Sequence, residues 1–187
     1  MPRRDFNEDI PAPNDWWYHG DNTTHREYAE DPLFLLRQML CSLGRRGLWN
    51  FAPGIGPRID GTAPDELLPS LRAIRDFLAW AGEAIYNTRG PDGTIMDAGV
   101  LNEYSGRGFC TVTNRLDAPE VFYVFLLAIP QENGRCILET SGHEPRRITD
   151  LRTGADLPFK MWAGPVVEGL DYSDVARYGA KVLKLEF

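Results

Sequence analysis

Apolar positions recur at helical spacing twice in the first half of the chain and gather into short strand-like runs in the second. Leu33, Leu36, Leu40 and Leu43 fall on one stripe, which predicts a helix of about four turns over 32–44. Asp31-Pro32 reads as its N-cap and first helical residue, and Gly44 and Gly47 bracket its exit. Leu48-Trp49-Asn50-Phe51-Ala52 is short, apolar and bounded by glycine and proline, the pattern of a buried strand. After a loop over 53–62, Leu67, Leu71, Ile74, Leu78 and Ala81 predict a second amphipathic helix that ends at Gly82. Pro69 falls in its first turn, where a missing N–H costs nothing. Helix, strand, loop and helix in this order are the cadence of a parallel α/β unit.

The texture changes after Asn87. Arg89-Gly90-Pro91-Asp92-Gly93 is a turn cluster, and no helical period is expected beyond it. Cys110–Thr113, Val121–Leu127, Cys136–Glu139, Phe159–Trp162 and Val182–Phe187 read as strands, separated by turns such as Glu132-Asn133-Gly134 and Thr153-Gly154-Ala155-Asp156. Short strands at this spacing predict an antiparallel β-sandwich. The expected division is an α/β piece over 1–89 and a sandwich over 90–187. Phe122, Phe125, Phe159 and Trp162 are expected in the sandwich core, and Trp80 in the core or at an interdomain contact.

Composition narrows the partners. The chain has 187 residues, with 27 acids against 20 bases and a formal charge of −7, so a nucleic acid or an anionic membrane surface is not the expected partner. No stretch approaches the ~18 apolar residues of a membrane-spanning helix. Met1 to Phe6 lack the apolar core of a signal peptide, so the sequence as written is expected in the cytoplasm. A true start upstream would make it periplasmic or extracellular. Cys41, Cys110 and Cys136 are an odd, scattered set and read as buried thiols. His19 and His25 have no further ligand-type spacing, so no metal and no cofactor are expected.

The strand count does not close. Residues 1–89 offer two helices and at most two strands, and two parallel strands leave edges that need neighbours. Fourteen prolines and 18 glycines, many in the first 65 residues, fit loops around a larger body. Gly56-Pro57-Arg58-Ile59-Asp60-Gly61-Thr62 and, one helix later, Gly82-Glu83-Ala84-Ile85-Tyr86-Asn87-Thr88-Arg89 resemble the end of the catalytic barrel in α-L-fucosidases of glycoside hydrolase family 29. That family carries a "GP-x-x-DGT-I-P" loop followed by "NGEAIYGTR". Trp16-Trp17-Tyr18-His19 and Ser42-Leu43-Gly44-Arg45-Arg46-Gly47 resemble its "W-[FG]-Y-[HN]" and "S-x-G/K-x-x-G-N" segments. The second half is similar to its carboxy-terminal domain.

The resemblance implies the last units of a (β/α)8-type barrel followed by the sandwich. It also implies retaining hydrolysis of α-L-fucosides on a fucosylated glycan, which needs two carboxylates ~5 Å apart. Nothing in 1–89 matches the nucleophile, which in the family lies on an earlier strand. In one subgroup of the family the acid/base closely follows the aromatic quartet, which makes Asp21 the candidate here; in the other it lies upstream and would be absent. Trp17 and His19 are candidates for sugar contact. Trp49 and Phe51 share a strand face, and one of them takes the place of the family's aromatic against the sugar methyl. A second chain or the missing N-terminal barrel portion is therefore the implied partner, and the chain alone is expected to be inactive. The alternative is a non-catalytic carbohydrate-binding or structural β-sandwich module.

Overall fold

A computed structural model describes residues 31–46, 58, 60–96, 108–114, 120–129 and 135–187. Helix α1 runs Phe34–Arg46, α2 Leu68–Ala81 and α3 Ser173–Tyr178. The strands are β1 Thr88–Arg89, β2 Gly108–Thr113, β3 Val121–Leu126, β4 Cys136–Ile137, β5 Arg147–Asp150, β6 Phe159–Met161, β7 Pro165–Val167 and β8 Lys181–Glu186. Every strand pairing among the described residues is antiparallel. One sheet has five strands in the order β1-β2-β3-β8-β5, and the other three in the order β4-β7-β6. The expected strand over 48–52 lies outside the described residues.

Both long helices form where the apolar period places them. Asp31 opens the first: its carboxylate accepts the Leu33 N–H at 3.0 Å, and its backbone carbonyl accepts the Phe34 N–H at 3.0 Å. Pro69 sits in the first turn of α2. The second helix continues past Ala81 into a tighter turn, Gly82–Ala84, which carries the chain onto the sheet.

The five-stranded sheet is covered on both faces. Leu35, Leu36, Leu40, Ile74 and Phe77 of the helices pack with Phe109, Tyr123, Phe125 and Val182. On the opposite face Cys110, Val112, Phe122, Val124, Leu183 and Leu185 pack with Cys136, Leu138 and Val167 of the smaller sheet. Alternate residues of one strand thus enter different cores. This explains why Val121–Leu126 is a continuous apolar run rather than an alternating one.

Several expectations change. Phe122 lies between the sheets, but Phe125 faces the helices. Phe159 is only partly buried, and Trp162, expected in the core, is 80% exposed on the turn between β6 and β7. Helix α3 falls in a region where no helix was expected. Six residues hold fewer than two turns, too few to display a period, and Gly179 at φ +80° ends it as a left-handed cap. Strands β5 and β7 are also absent from the expectations: β5 has Ile148 as its one aliphatic residue and β7 opens on Pro165, so neither shows an apolar run longer than two residues. Cys110 and Cys136 are buried, whereas Cys41 is half-buried. Burial pushes the Cys136 thiol up to about 12, so it is neutral and unreactive at ordinary pH.

In the smaller sheet the backbone passes close to its neighbour at Gly164. The Trp162 N–H donates to the Gly164 carbonyl at 3.0 Å, and the Leu138 N–H to that of Pro165 at 2.9 Å. A Cβ on Gly164 would run into the Leu138 carbonyl oxygen, a backbone atom with no rotamer to escape into. Gly164→Ala is expected to cost about 1–3 kcal/mol, as overpacking does, and to lower the urea midpoint without changing the slope.

Candidate functional site

Trp17, His19, Asp21, Trp49 and Phe51 all lie outside the described residues. The described part of the candidate rim is its closing loop, Arg58 with 60–65. The Gly61 N–H donates to the Arg58 carbonyl at 2.8 Å, and the Arg58 N–H to the Thr62 carbonyl at 2.9 Å. This closes a tight turn that uses Gly61 at φ +80°. The Arg58 guanidinium donates to the Ala63 carbonyl at 3.2 Å and to Asp65 at 2.9 Å. The loop is thereby tied to the 3-10 turn Asp65–Leu67 that leads into α2.

Asp60 accepts both the hydroxyl of Thr62, at 2.7 Å, and its N–H, at 3.0 Å. The Thr62 hydroxyl is the largest of the influences that hold Asp60 below the ordinary carboxylate range. Asp92 and Asp171 are held low in the same way, by the N–H and hydroxyl of Thr94 and of Ser173. A general acid needs the opposite, a carboxyl raised toward neutrality. These three aspartates brace turns.

The most highly charged interior point was not anticipated. Lys181 is 2% exposed at the head of β8, and its ammonium donates to Asp150 at 2.5 Å and to Asp174 at 3.0 Å. Arg152 Nε lies 2.8 Å from the second Asp174 oxygen, as an ion pair with its N–H out of line. The two carboxylate oxygens on Lys181 can be no farther apart than the ~5–5.5 Å typical of a retaining dyad. Chemistry separates the two cases. Both carboxylates here are buried and neutralised by cations, with no room for a sugar between them. Burial alone would raise Asp150, but the hydrogen bond and charge of Lys181, helped by Thr153, outweigh it and leave the carboxyl low. The cluster is a structural clamp joining β5, β8 and α3. Its only sequence signal is a lysine in phase with Leu183 and Leu185, at a position where the strand pattern calls for an apolar residue.

A groove of about 770 Å3 lies where the two long helices meet α3. Arg37, Arg72 and Arg177 line it along with Asp31 and Asp76. Arg37 is paired to Asp31 at 2.5 Å, and the Arg177 guanidinium lies over the Tyr178 ring at 5.1 Å. Among its lining residues the aromatic one, Tyr178, lies under the Arg177 guanidinium, and Asp31 and Asp76 are each paired with an arginine.

No protein-family model matches the sequence, and no curated protein matches it. Solved structures do match the fold. A GH29 α-L-fucosidase from Bacteroides thetaiotaomicron, trapped as a covalent intermediate, superposes with a TM-score of 0.58 at 18% identity, over 83% of this chain and 32% of that one. The fold is that of a portion of an α-L-fucosidase. An α-L-fucosidase isoenzyme from Paenibacillus thiaminolyticus gives a TM-score of 0.60 at 15% identity, over 91% of this chain and 37% of its own. The α-fucosidase of Thermotoga maritima gives 0.55 at 20%, over 80% and 34%. The chain thus spans about a third of the length of these fucosidases, and at such identities the likeness is one of fold.

Within this fucosidase-like portion, the stretch 82–89 that carries much of the sequence resemblance is a joint between helices and sheet. The Thr111 hydroxyl donates to the Ala84 carbonyl at 2.7 Å, and that of Thr88 to the Ile85 carbonyl at 2.8 Å. Asn87 turns the chain at φ +56°, and Thr88 and Arg89 pair with Thr113 and Val112. Arg89 reaches Glu120 at 2.9 Å, and Glu83 pairs with Lys184 at 3.2 Å. Its residues fix how the helices sit on the sheet, whereas the sugar-facing candidates lie elsewhere in the sequence.

Proposed function

We propose that the chain is the carboxy-terminal portion of an α-L-fucosidase-like glycoside hydrolase. Residues 1–89 would be the last βα units of a (β/α)8-type barrel, and residues 90–187 an antiparallel β-sandwich. Completed by the rest of the barrel, it hydrolyses α-L-fucosides of fucosylated glycans with retention. The observation that carries this reading is the fold likeness, over 80–91% of this chain, to about a third of three fucosidases.

In that assembly the nucleophilic carboxylate comes from outside these 187 residues. It attacks the anomeric carbon while an acid protonates the leaving oxygen, and water then releases the sugar with the acid acting as base. Asp21 is the acid/base candidate within the chain, and Trp17, His19, Trp49 and Phe51 line the sugar. No cofactor takes part. The compartment follows that of the completing portion.

The test is release of nitrophenol from 4-nitrophenyl α-L-fucoside by the purified chain. No release above the uncatalysed rate is expected. Turnover by the 187 residues alone would place both carboxylates within them and overturn the division of labour. Binding of fucosylated glycans with no turnover even after the completing barrel portion is supplied would favour a carbohydrate-binding module instead.

A further inference from the structure

We infer that the end of the three-stranded sheet, where Trp162 stands beside the 140–143 turn, is a glycan platform that takes the apolar face of a pyranose ring. For the class of ligand the inference rests on the glycoside-hydrolase reading above. Its location does not, because it lies on the smaller sheet and uses none of the candidate sugar contacts.

Trp162 is the most exposed of the large hydrophobic side chains among the described residues, at 80%. Its backbone is nonetheless held firmly. The Trp162 N–H is bonded to the Gly164 carbonyl, and buried Gly164 is pressed against Leu138 at the exit of β4. The Thr140 nitrogen lies 3.7 Å from where a Gly164 Cβ would stand, so the 140–143 turn adjoins the 162–164 turn. That second turn is closed by the His143 N–H on the Thr140 carbonyl at 2.8 Å and the Thr140 hydroxyl on the His143 carbonyl at 2.5 Å. Ser141 and Gly142, at φ +49° and +80°, form its two-residue tip. An indole has only two χ angles to fix when a ligand covers it, a small entropy cost for the area it offers.

The size of the patch and its surroundings select the occupant. One indole presents ~150–250 Å2, far below the ~800 Å2 that each partner of a stable protein interface covers. Of its sequence and turn neighbours, Lys160, Ala163, Ser141, Gly142 and His143 are exposed and none of these is a large apolar residue, while Met161 is half-buried. A pyranose needs only one aromatic face for its C–H groups and a few polar groups around it for its hydroxyls. The ammonium, hydroxyl and imidazole of Lys160, Ser141 and His143 are of that kind.

The experiment titrates the full chain with 2′-fucosyllactose and with lactose, observed on the glycan by saturation-transfer NMR. Binding with a Kd of about 1 mM is expected, weakened about tenfold by Trp162→Ala and restored to within about threefold by Trp162→Phe. The side chain is exposed, so both variants should melt as the parent does. If lactose binds as well as its fucosylated form and Trp162→Ala removes both, the platform stands while its tie to fucose is lost. Equal affinities for parent and Trp162→Ala overturn the platform, as does the absence of binding by the parent at about 10 mM. Self-association abolished by Trp162→Ala also overturns it, in favour of contact between copies of the chain.

Discussion

Replacing Lys181 by methionine is expected to destabilise the chain by about 3–5 kcal/mol, the usual cost of removing one partner from a buried ion pair. Methionine fills nearly the same volume, so the loss would come from charge. Asp150 and Asp174, at 6% and 1% exposure, would keep their negative charges with only Arg152 to answer them. For a chain of this length the loss is a fall in Tm on the order of 10 °C. Adding Asp150→Asn and Asp174→Asn to Lys181→Met should recover part of it, because the uncompensated charges go too.

The pH dependence supplies a second readout. Asp150 has a depressed folded-state value, so its contribution is fully present above the ordinary 3.8 and is lost as the pH falls through the lower folded value. The contribution of Asp150 to the parent's stability should therefore begin to fall only below about pH 4. In Lys181→Met the burial that raises Asp150 is no longer opposed by the ammonium. The stability gap between the two proteins should be widest at neutral pH and narrow on acidification. A constant gap in denaturant melts from pH 7 to 3 would show that the cluster contributes through packing rather than charge.

Phe125→Ala is expected to cost a similar 3–5 kcal/mol. Phe125 is fully buried and pairs across the ladder with Phe109 on one side and Val182 on the other. Its ring stacks on that of Phe109 at 4.4 Å and 10°, a gain beyond area burial. The stack in turn presses against α1 at Gly44, where a Cβ would lie 2.7 Å from the Phe109 ring. Gly44→Ala should therefore also destabilise, although alanine is the better helix former by ~1 kcal/mol. The same substitution in a Phe109→Ala background should cost less or stabilise, since the obstruction is gone. Strict additivity of the two changes in a double-mutant cycle would refute the close approach of helix and sheet.

How much of this was legible in the sequence differs from element to element. The two long helices were placed to within about two residues, because three turns or more let an apolar stripe repeat. The Val121–Leu126 and Lys181–Glu186 strands were legible as apolar or alternating runs. Strands β5 and β7, which hold no apolar run longer than two residues, and helix α3, at fewer than two turns, were not. The sugar-facing candidates came from resemblance alone, and the described residues do not include them.

By itself the sequence determined the placement of the long helices, the turns built on Asp31 and Gly154, and the change from helical to strand texture near residue 90. These rest on neighbours a few positions apart, where hydrogen bonds and apolar spacing act locally. Only the tertiary structure decided which face each strand residue occupies, that Phe122 and Phe125 serve different cores, and that Trp162 stands in solvent. It alone brought Lys181 to Asp150, 31 positions away, and to Asp174. Alternation assigns residues to two faces of a strand, but what covers each face depends on segments distant in sequence. A buried charge is tolerable only once those segments have delivered its partners.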